Sequence, residues 1–230
     1  MSTILQIETA TTSCSVALSR DGKLLDFKQI NARNIHAEVI TLYIDELLVN
    51  QKLSYNDLDA IAVSSGPGSY TGLRIGVSTA KGLCFALDKP LIAIETLEAM
   101  AYGVITTDGF EQDENLLLCP MIDARRMEVY TALFDTSGNR VRETAADIID
   151  EQSFSSYLAN HKVLFFGDGA EKCKSVLASN PNSLFLDDFD NSAIHLTSKA
   201  AQKFQSGQFE DVAYFEPFYL KDFIAGKKAL

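Results

Sequence analysis

The sequence predicts an α/β protein of two lobes, each a mixed sheet with helices against it, built from one βββαβαβα unit given twice. Three observations carry that expectation. Three strand-like segments followed by alternating helical and strand patterns occur once before and once after the polar, acidic stretch 108–115. Ile7-Glu8 and Ile122-Asp123 end comparable apolar runs 115 residues apart, Ala17-Leu18 and Ala132-Leu133 keep that offset, and the turn glycines Gly22 and Gly138 stand 116 apart. Gly66-Pro67-Gly68 and Gly167-Asp168-Gly169 each follow an apolar strand.

Taken in order, residues 4–8 and 14–19 read as strands, Asp21-Gly22 as a hairpin turn and 24–30 as a third strand. Residues 35–50 carry apolar side chains at helical spacing. Strand 60–64 enters the Gly66-Pro67-Gly68 turn. Gly66 and Gly68 tolerate backbone angles that other residues avoid, and Pro67 stiffens the chain between them. Ser69 or Thr71 is placed to cap the following helix, 73–87. Strand 91–94 and a helix from Thr96 to about Ile105 complete the first unit. The second runs as strands 116–122, 128–134 and 140–144, helix 151–159, strand 163–166, helix 169–178, strand 183–186 and helix 192–205. The lobes are expected at 1–106 and 107–207, with the C-terminal segment, about 208–230, joining the first. This is the layout of the actin, Hsp70 and sugar-kinase fold, where acids ending the first strands point into a cleft between lobes.

The 230 residues suffice for one large domain or two small ones, and 47% hydrophobic with 22% charged residues is a globular composition. The formal net charge of −11 argues against tight binding of nucleic acid or of an anionic membrane by the isolated chain. Lys and Arg are scattered apart from a short tail, Lys221, Lys227 and Lys228. Cys14, Cys84, Cys119 and Cys173 form no C-x-x-C pair and sit in apolar company, as buried free thiols do. The N-terminus enters a strand pattern at once, without the marks of a signal peptide, and no apolar run approaches the roughly 20 residues of a membrane span. A cytoplasmic protein is expected.

Several segments together resemble one family along essentially the whole chain. They are Ile4-Leu5-Gln6-Ile7-Glu8-Thr9, Cys14-Ser15-Val16-Ala17-Leu18, His36-Ala37-Glu38, the stretch from Ser65 through Gly66-Pro67-Gly68 to Arg74, Asp123-Ala124-Arg125, Glu128-Val129-Tyr130 and Pro217-Phe218-Tyr219-Leu220. The family is TsaB, also called YeaZ, and the segment from Ser65 to Arg74 is the most specific part. The resemblance implies a non-catalytic subunit of the bacterial machinery that makes N6-threonylcarbamoyladenosine at position 37 of tRNA. It implies as partners the related catalytic subunit TsaD and the small ATPase TsaE, a homodimer in isolation, and tRNA reached only through the complex.

The residues agree in what they lack. TsaD relatives carry a His-x-x-x-His metal pair on the helix where this chain has Thr96 and Met100, and His36, His161 and His195 are widely spaced. No metal site and no catalytic residue is expected. Gly66 and Gly72 are one position too far apart for a P-loop, and Ser69 directly follows Gly68, which breaks the nucleophile-elbow pattern. Glu8 stands where kinases of this fold carry Asp, and Asp123 precedes Ala124-Arg125, not a glycine phosphate turn. Glu8, Thr9, Gly66, Gly68 and Asp123 are weak candidates for nucleotide contact, with ATP or ADP entering only at an interface shared with TsaD. The rival function is an autonomous actin-like ATPase or small-molecule kinase.

For the partner interface the candidates are His36, Ile40, Tyr43 and Leu47 on one helix and the small-residue stripe Gly72, Gly76, Ala80 and Cys84 on the next. The alternative for the stripe is packing on the chain's own sheet. For His36 the alternative is a backbone hydrogen bond at the helix start. Arg74 is placed to reach an anion at the turn or to form a salt bridge.

Overall fold

The computed structural model describes residues 1–32 and 35–221. Lys227 and Lys228, and the last part of the expected C-terminal segment, lie outside the described residues. Ten strands and six α-helices occur among them: β1 (Thr3–Glu8), β2 (Ser13–Arg20), β3 (Lys23–Asn31), α1 (His36–Asn50), β4 (Ala60–Ser64), α2 (Tyr70–Leu87), β5 (Leu91–Ile94), α3 (Thr96–Ile105), β6 (Leu116–Asp123), β7 (Glu128–Asp135), β8 (Arg140–Ile148), α4 (Ser155–Leu158), β9 (Lys162–Phe166), α5 (Ala170–Leu177), β10 (Ser183–Leu186) and α6 (Thr197–Gln205). Single 3-10 turns at Tyr55–Asp57 and Ala193–Leu196 add to these.

The repeat is real in three dimensions. The sheets run β3-β2-β1-β4-β5 and β8-β7-β6-β9-β10, one order used twice. In each, the first three strands pair antiparallel and the last two join parallel. The second hairpin turns one residue sooner, since Glu8 faces Ser15 whereas Asp123 faces Val129.

β1 is buried along its whole length because both faces of its sheet are covered. Leu5 and Ile7 point to one side and pack with Val16, Leu18, Ile40, Ile44, Leu47, Val77, Ala80 and Cys84 under α1 and α2. Ile4 points to the other side, with Ala62, Ile92, Ile94, Leu196 and Ala200. The second sheet is covered on its far face by α4 and α5 over Leu117, Cys119, Met121 and Phe165. Between the sheets α3 is shared: Ala99 packs on the first, while Leu97, Met100 and Val104 pack on Leu118, Ile122, Phe134 and Phe166 of the second.

That shared layer alters the lobe boundary read from sequence. The 3-10 turn Ala193–Leu196 and α6, both within 107–207, pack on β1, β2 and β5 of the first sheet. Residues 208–221 follow them there. Glu210 pairs with Leu91, and Val212 and Phe215 pack against the first core.

Four elements differ from the sequence reading, one of them the expected helix 192–205, which opens as the 3-10 turn Ala193–Leu196 and becomes α6 only from Thr197. α2 begins at Tyr70, one turn before 73, because the Ser69 hydroxyl accepts from the Gly72 N–H and so caps it there. The expected helix 151–159 is reduced to Ser155–Leu158, since Phe154 takes φ +62° and buries its ring against Phe165 at 5.3 Å. β8 continues to Ile148 through Ala-rich sequence, because pairing of Ala145 with Thr131 and Ala146 with Tyr130 overrides weak strand propensity.

Candidate functional site: the inter-lobe cleft and the α1–α2 face

The turn after β4 is where the first lobe and the C-terminal segment meet. Gly66 takes φ +112°, a region open to glycine, and the Gly66–Pro67 peptide is cis. Its polar groups are spent internally. Ser65 N–H donates to the Ile94 carbonyl at 2.8 Å, Gly66 N–H to the Thr96 hydroxyl at 3.1 Å, and Ser69 N–H to the Ala10 carbonyl at 2.6 Å. Phe218 N–H closes on the Ser65 carbonyl at 2.7 Å. The carbonyl oxygens of Phe218, Ala10 and Thr9 crowd Gly66, Gly68 and Gly72 respectively. Acceptors press on all three glycines, which is the wrong polarity for an anion cradle.

Glu8 ends β1 fully buried. Its Oε1 accepts from Ala10 N–H at 2.6 Å and from the Ser64 hydroxyl at 2.8 Å. Burial nevertheless dominates and pushes its pKa up to about 7, the hydrogen bonds from Ala10 and Ser64 and the nearby Asn191 amide pulling the other way. Oε2 has no hydrogen-bond partner among the described residues, nor do the Ser13 hydroxyl or the Asn191 amide. Beside them lies a cavity of about 30 Å³ lined by Thr11, Ser13, Met100, Gly167, Asp168 and Asn191. A small-molecule pocket runs to roughly 300–1,000 Å³, so this volume suits water and not a nucleotide.

Thr9 is equally buried, its hydroxyl donated to the Gly72 carbonyl at 2.8 Å. Asp123, the counterpart of Glu8, is half-exposed, ion-paired with Lys172, and accepts from the Arg125 N–H at 2.9 Å. It does not line the cavity. The candidates Glu8, Thr9, Gly66, Gly68 and Asp123 therefore do not converge on a nucleotide-sized space within this chain. Thr96 and Met100 are fully buried, and among the described residues no three His, Cys, Asp or Glu side chains cluster as metal ligands do. All four cysteines are free and buried, and burial raises the Cys84 and Cys119 thiols to about 12.

The interface candidates are corrected by burial. Ile40, Leu47, Ala80 and Cys84 lie in the first core, and Tyr43 packs half-buried against it under the Lys28 ammonium. Gly72 and Gly76 fit against Thr9. The stripe thus packs on the chain's own sheet, the alternative given for it. His36 donates from Nε2 to the Thr11 carbonyl at 3.0 Å, the helix-start role. Among the described residues Arg74 forms no salt bridge. It lies over the Tyr70 ring at 4.2 Å, with Nε donating to the Tyr219 hydroxyl at 3.3 Å.

What α1 and α2 present outward is a different set. Leu42 is 57% exposed, Val49 73% and Phe85 86%, and the space above Gly82 is open. These residues were missed although a signal existed: the apolar positions of 35–50 are too many for one helix face, and the surplus is what points out.

Fold and cleft together define a two-lobed α/β protein of actin-like layout, with a cleft closed around one buried carboxyl and an apolar outer face on its first two helices. A family model described as TsaD, tRNA N6-adenosine threonylcarbamoyltransferase, matches residues 29–228. The chain is 32% identical to the tRNA threonylcarbamoyladenosine biosynthesis protein TsaB of Escherichia coli over 98% of this chain and 97% of that one. It is 41% identical to the TsaB of Haemophilus influenzae over 56% of this chain, a match spanning about half (52%) of that relative. The solved structure of YeaZ from Pseudomonas aeruginosa superposes with a TM-score of 0.81 at 26% identity, covering 96% of this chain and all of that one. The chain belongs to the TsaB (YeaZ) family of tRNA threonylcarbamoyladenosine biosynthesis proteins, within the wider TsaD superfamily.

Proposed function

We propose that this chain is a non-catalytic scaffold that binds and stabilises a TsaD-like catalytic subunit for N6-threonylcarbamoylation of adenosine 37 in tRNA. The observation that carries it is the outward face of α1 and α2. Leu42, Val49 and Phe85 stand exposed on two helices whose inner faces are already filled, and an open glycine surface at Gly82 leaves room for a partner helix to approach. A second copy of the chain is the occupant expected when TsaD is absent. The buried Glu8 and the water-sized cavity support the non-catalytic reading over an autonomous ATPase or kinase. ATP or ADP belongs at the interface with TsaD, TsaE joins the assembly as its ATPase, and the cytoplasm, where tRNA is modified, is the expected location.

Phe85→Glu places a charge on that face without touching the core. It should abolish co-purification with the organism's TsaD and leave the circular dichroism spectrum unchanged. An interface of this kind buries roughly 1,200–2,000 Å² in total, and one unpaired charge buried within it should weaken it by about a hundredfold or more. Undiminished co-purification of the folded variant would sink the reading.

A further inference from the structure

We propose that a ridge of arginines and tyrosines along the edge where β4 and β6 end binds a single-stranded RNA segment, taking phosphates on the arginines and unstacked bases on the tyrosine rings. The choice of RNA rests on the tRNA-modification reading above; the choice of a single strand rests on the ridge.

The ridge is continuous across both lobes. It starts at the N-terminus of α2, where Tyr70 and Tyr219 pair with ring centroids 4.8 Å apart and the Arg74 guanidinium covers Tyr70. The Phe218–Ser65 hydrogen bond holds Tyr219 there. Two residues on, Lys221 ion-pairs with Glu128 of β7. Glu128 N–H donates to the Arg125 carbonyl at 3.1 Å, which brings in the β6–β7 turn. Arg125 and Arg126 stand exposed at its tip with φ +73° and +50°, a conformation in which Asn and Gly are the usual residues and Arg is uncommon.

The cations of the ridge are gathered from both lobes. Arg74, Arg125, Arg126, Lys172 and Lys221 face Asp123, Glu128 and Asp168, in a protein whose carboxylates outnumber its cations 31 to 20. The two lysines neutralise Asp123 and Glu128. Among the described residues none of the three arginines is ion-paired. Arg74 is spent on the Tyr70 ring and the Tyr219 hydroxyl, while Arg125 and Arg126 reach outward. Cations beside aromatic rings are the combination by which proteins hold splayed single strands, aromatic faces taking bases and cations taking phosphates. A duplex keeps its bases inside, and an acidic peptide has no use for the rings.

The test is fluorescence anisotropy of a labelled single-stranded RNA of about 12 nucleotides titrated with the full chain. Affinity should fall with salt at a log–log slope of about −2, the value for three phosphates neutralised on a single strand. Arg125→Glu combined with Arg126→Glu should weaken binding about tenfold or more. Tyr219→Ala should weaken it about fivefold or more, and Tyr219→Phe, which keeps the ring, should restore it. Lys162→Glu, exposed on β9 away from the ridge, should change nothing. The proposal is overturned by absence of binding at low salt, by binding indifferent to the double arginine reversal, or by heparin binding as tightly with Tyr219→Ala without effect. Co-purification with TsaD reads the docking face separately: the arginine reversal should keep it, so loss of RNA binding and loss of docking are told apart.

Discussion

Gly72→Ala should destabilise the protein by more than about 3 kcal/mol and lower its melting temperature by about 6–12 °C. A methyl group there would land on the backbone carbonyl of Thr9, which has no freedom to move, since Thr9 follows the central strand β1 and its own hydroxyl is donated to the Gly72 carbonyl. Helix propensity alone predicts the opposite, a gain of about 1 kcal/mol for Gly to Ala. Gly82, on the same helix, is the control: nothing lies within 4 Å of the position its Cβ would occupy. Gly82→Ala should therefore stabilise by about 0.5–1 kcal/mol. Thermal melts of the two variants against the parent decide the matter, and equal shifts would mean that α2 does not sit against Thr9 as described.

The second large effect is expected in the pH dependence of stability. Burial holds the Glu8 carboxyl at about 7, against 4.5 for an ordinary glutamate. The folded state then keeps its proton where the unfolded chain has released it, so stability falls as pH rises from 4.5 through about 7. The full loss is about 3 kcal/mol. His195 works in the same range with the opposite sign: burial lowers it to about 4, so its contribution is present above 6.5 and is lost as pH falls. The two effects partly cancel in the parent protein, and the difference from Glu8→Gln isolates the carboxyl. Urea unfolding at pH 5 and pH 8 should show Glu8→Gln gaining relative stability at the higher pH. Parallel curves for parent and variant would contradict a neutral, buried Glu8.

Much of the architecture was legible. β4, β5, α3 and β10 begin and end where apolar runs meet turn residues, which is where periodicity and turn chemistry agree. The doubled order was readable because two sheets built alike leave matching acids and glycines at matching offsets. What could not be read was facing. Gly72, Gly76, Ala80 and Cys84 are a stripe in any helix, but the stripe does not say whether it looks at solvent or at Thr9. Likewise α3 shows an apolar surface without showing that it serves both sheets. Glu8 was visible as an acid ending a strand, whereas its burial and its hydrogen bond from Ser64, 56 positions away, were not. Arg74 and Tyr219, 145 positions apart, meet only because residues 208–221 return to the first lobe.

That return has a consequence for how the chain is made. The first sheet is closed by segments made long after its own strands: Ala193 N–H reaches the Ser15 hydroxyl across 178 positions, and the carbonyls of Ala213 and Phe215 accept from Lys81. A nascent chain emerging from the ribosome through residue 106 holds β1–β5 and α1–α3, yet one face of that sheet still lacks α6 and the turn before it. Two half-proteins expressed separately at that boundary should therefore be poor units. The first lobe waits for residues 193–215 to be made, and such long-range closure is the kind that slows folding.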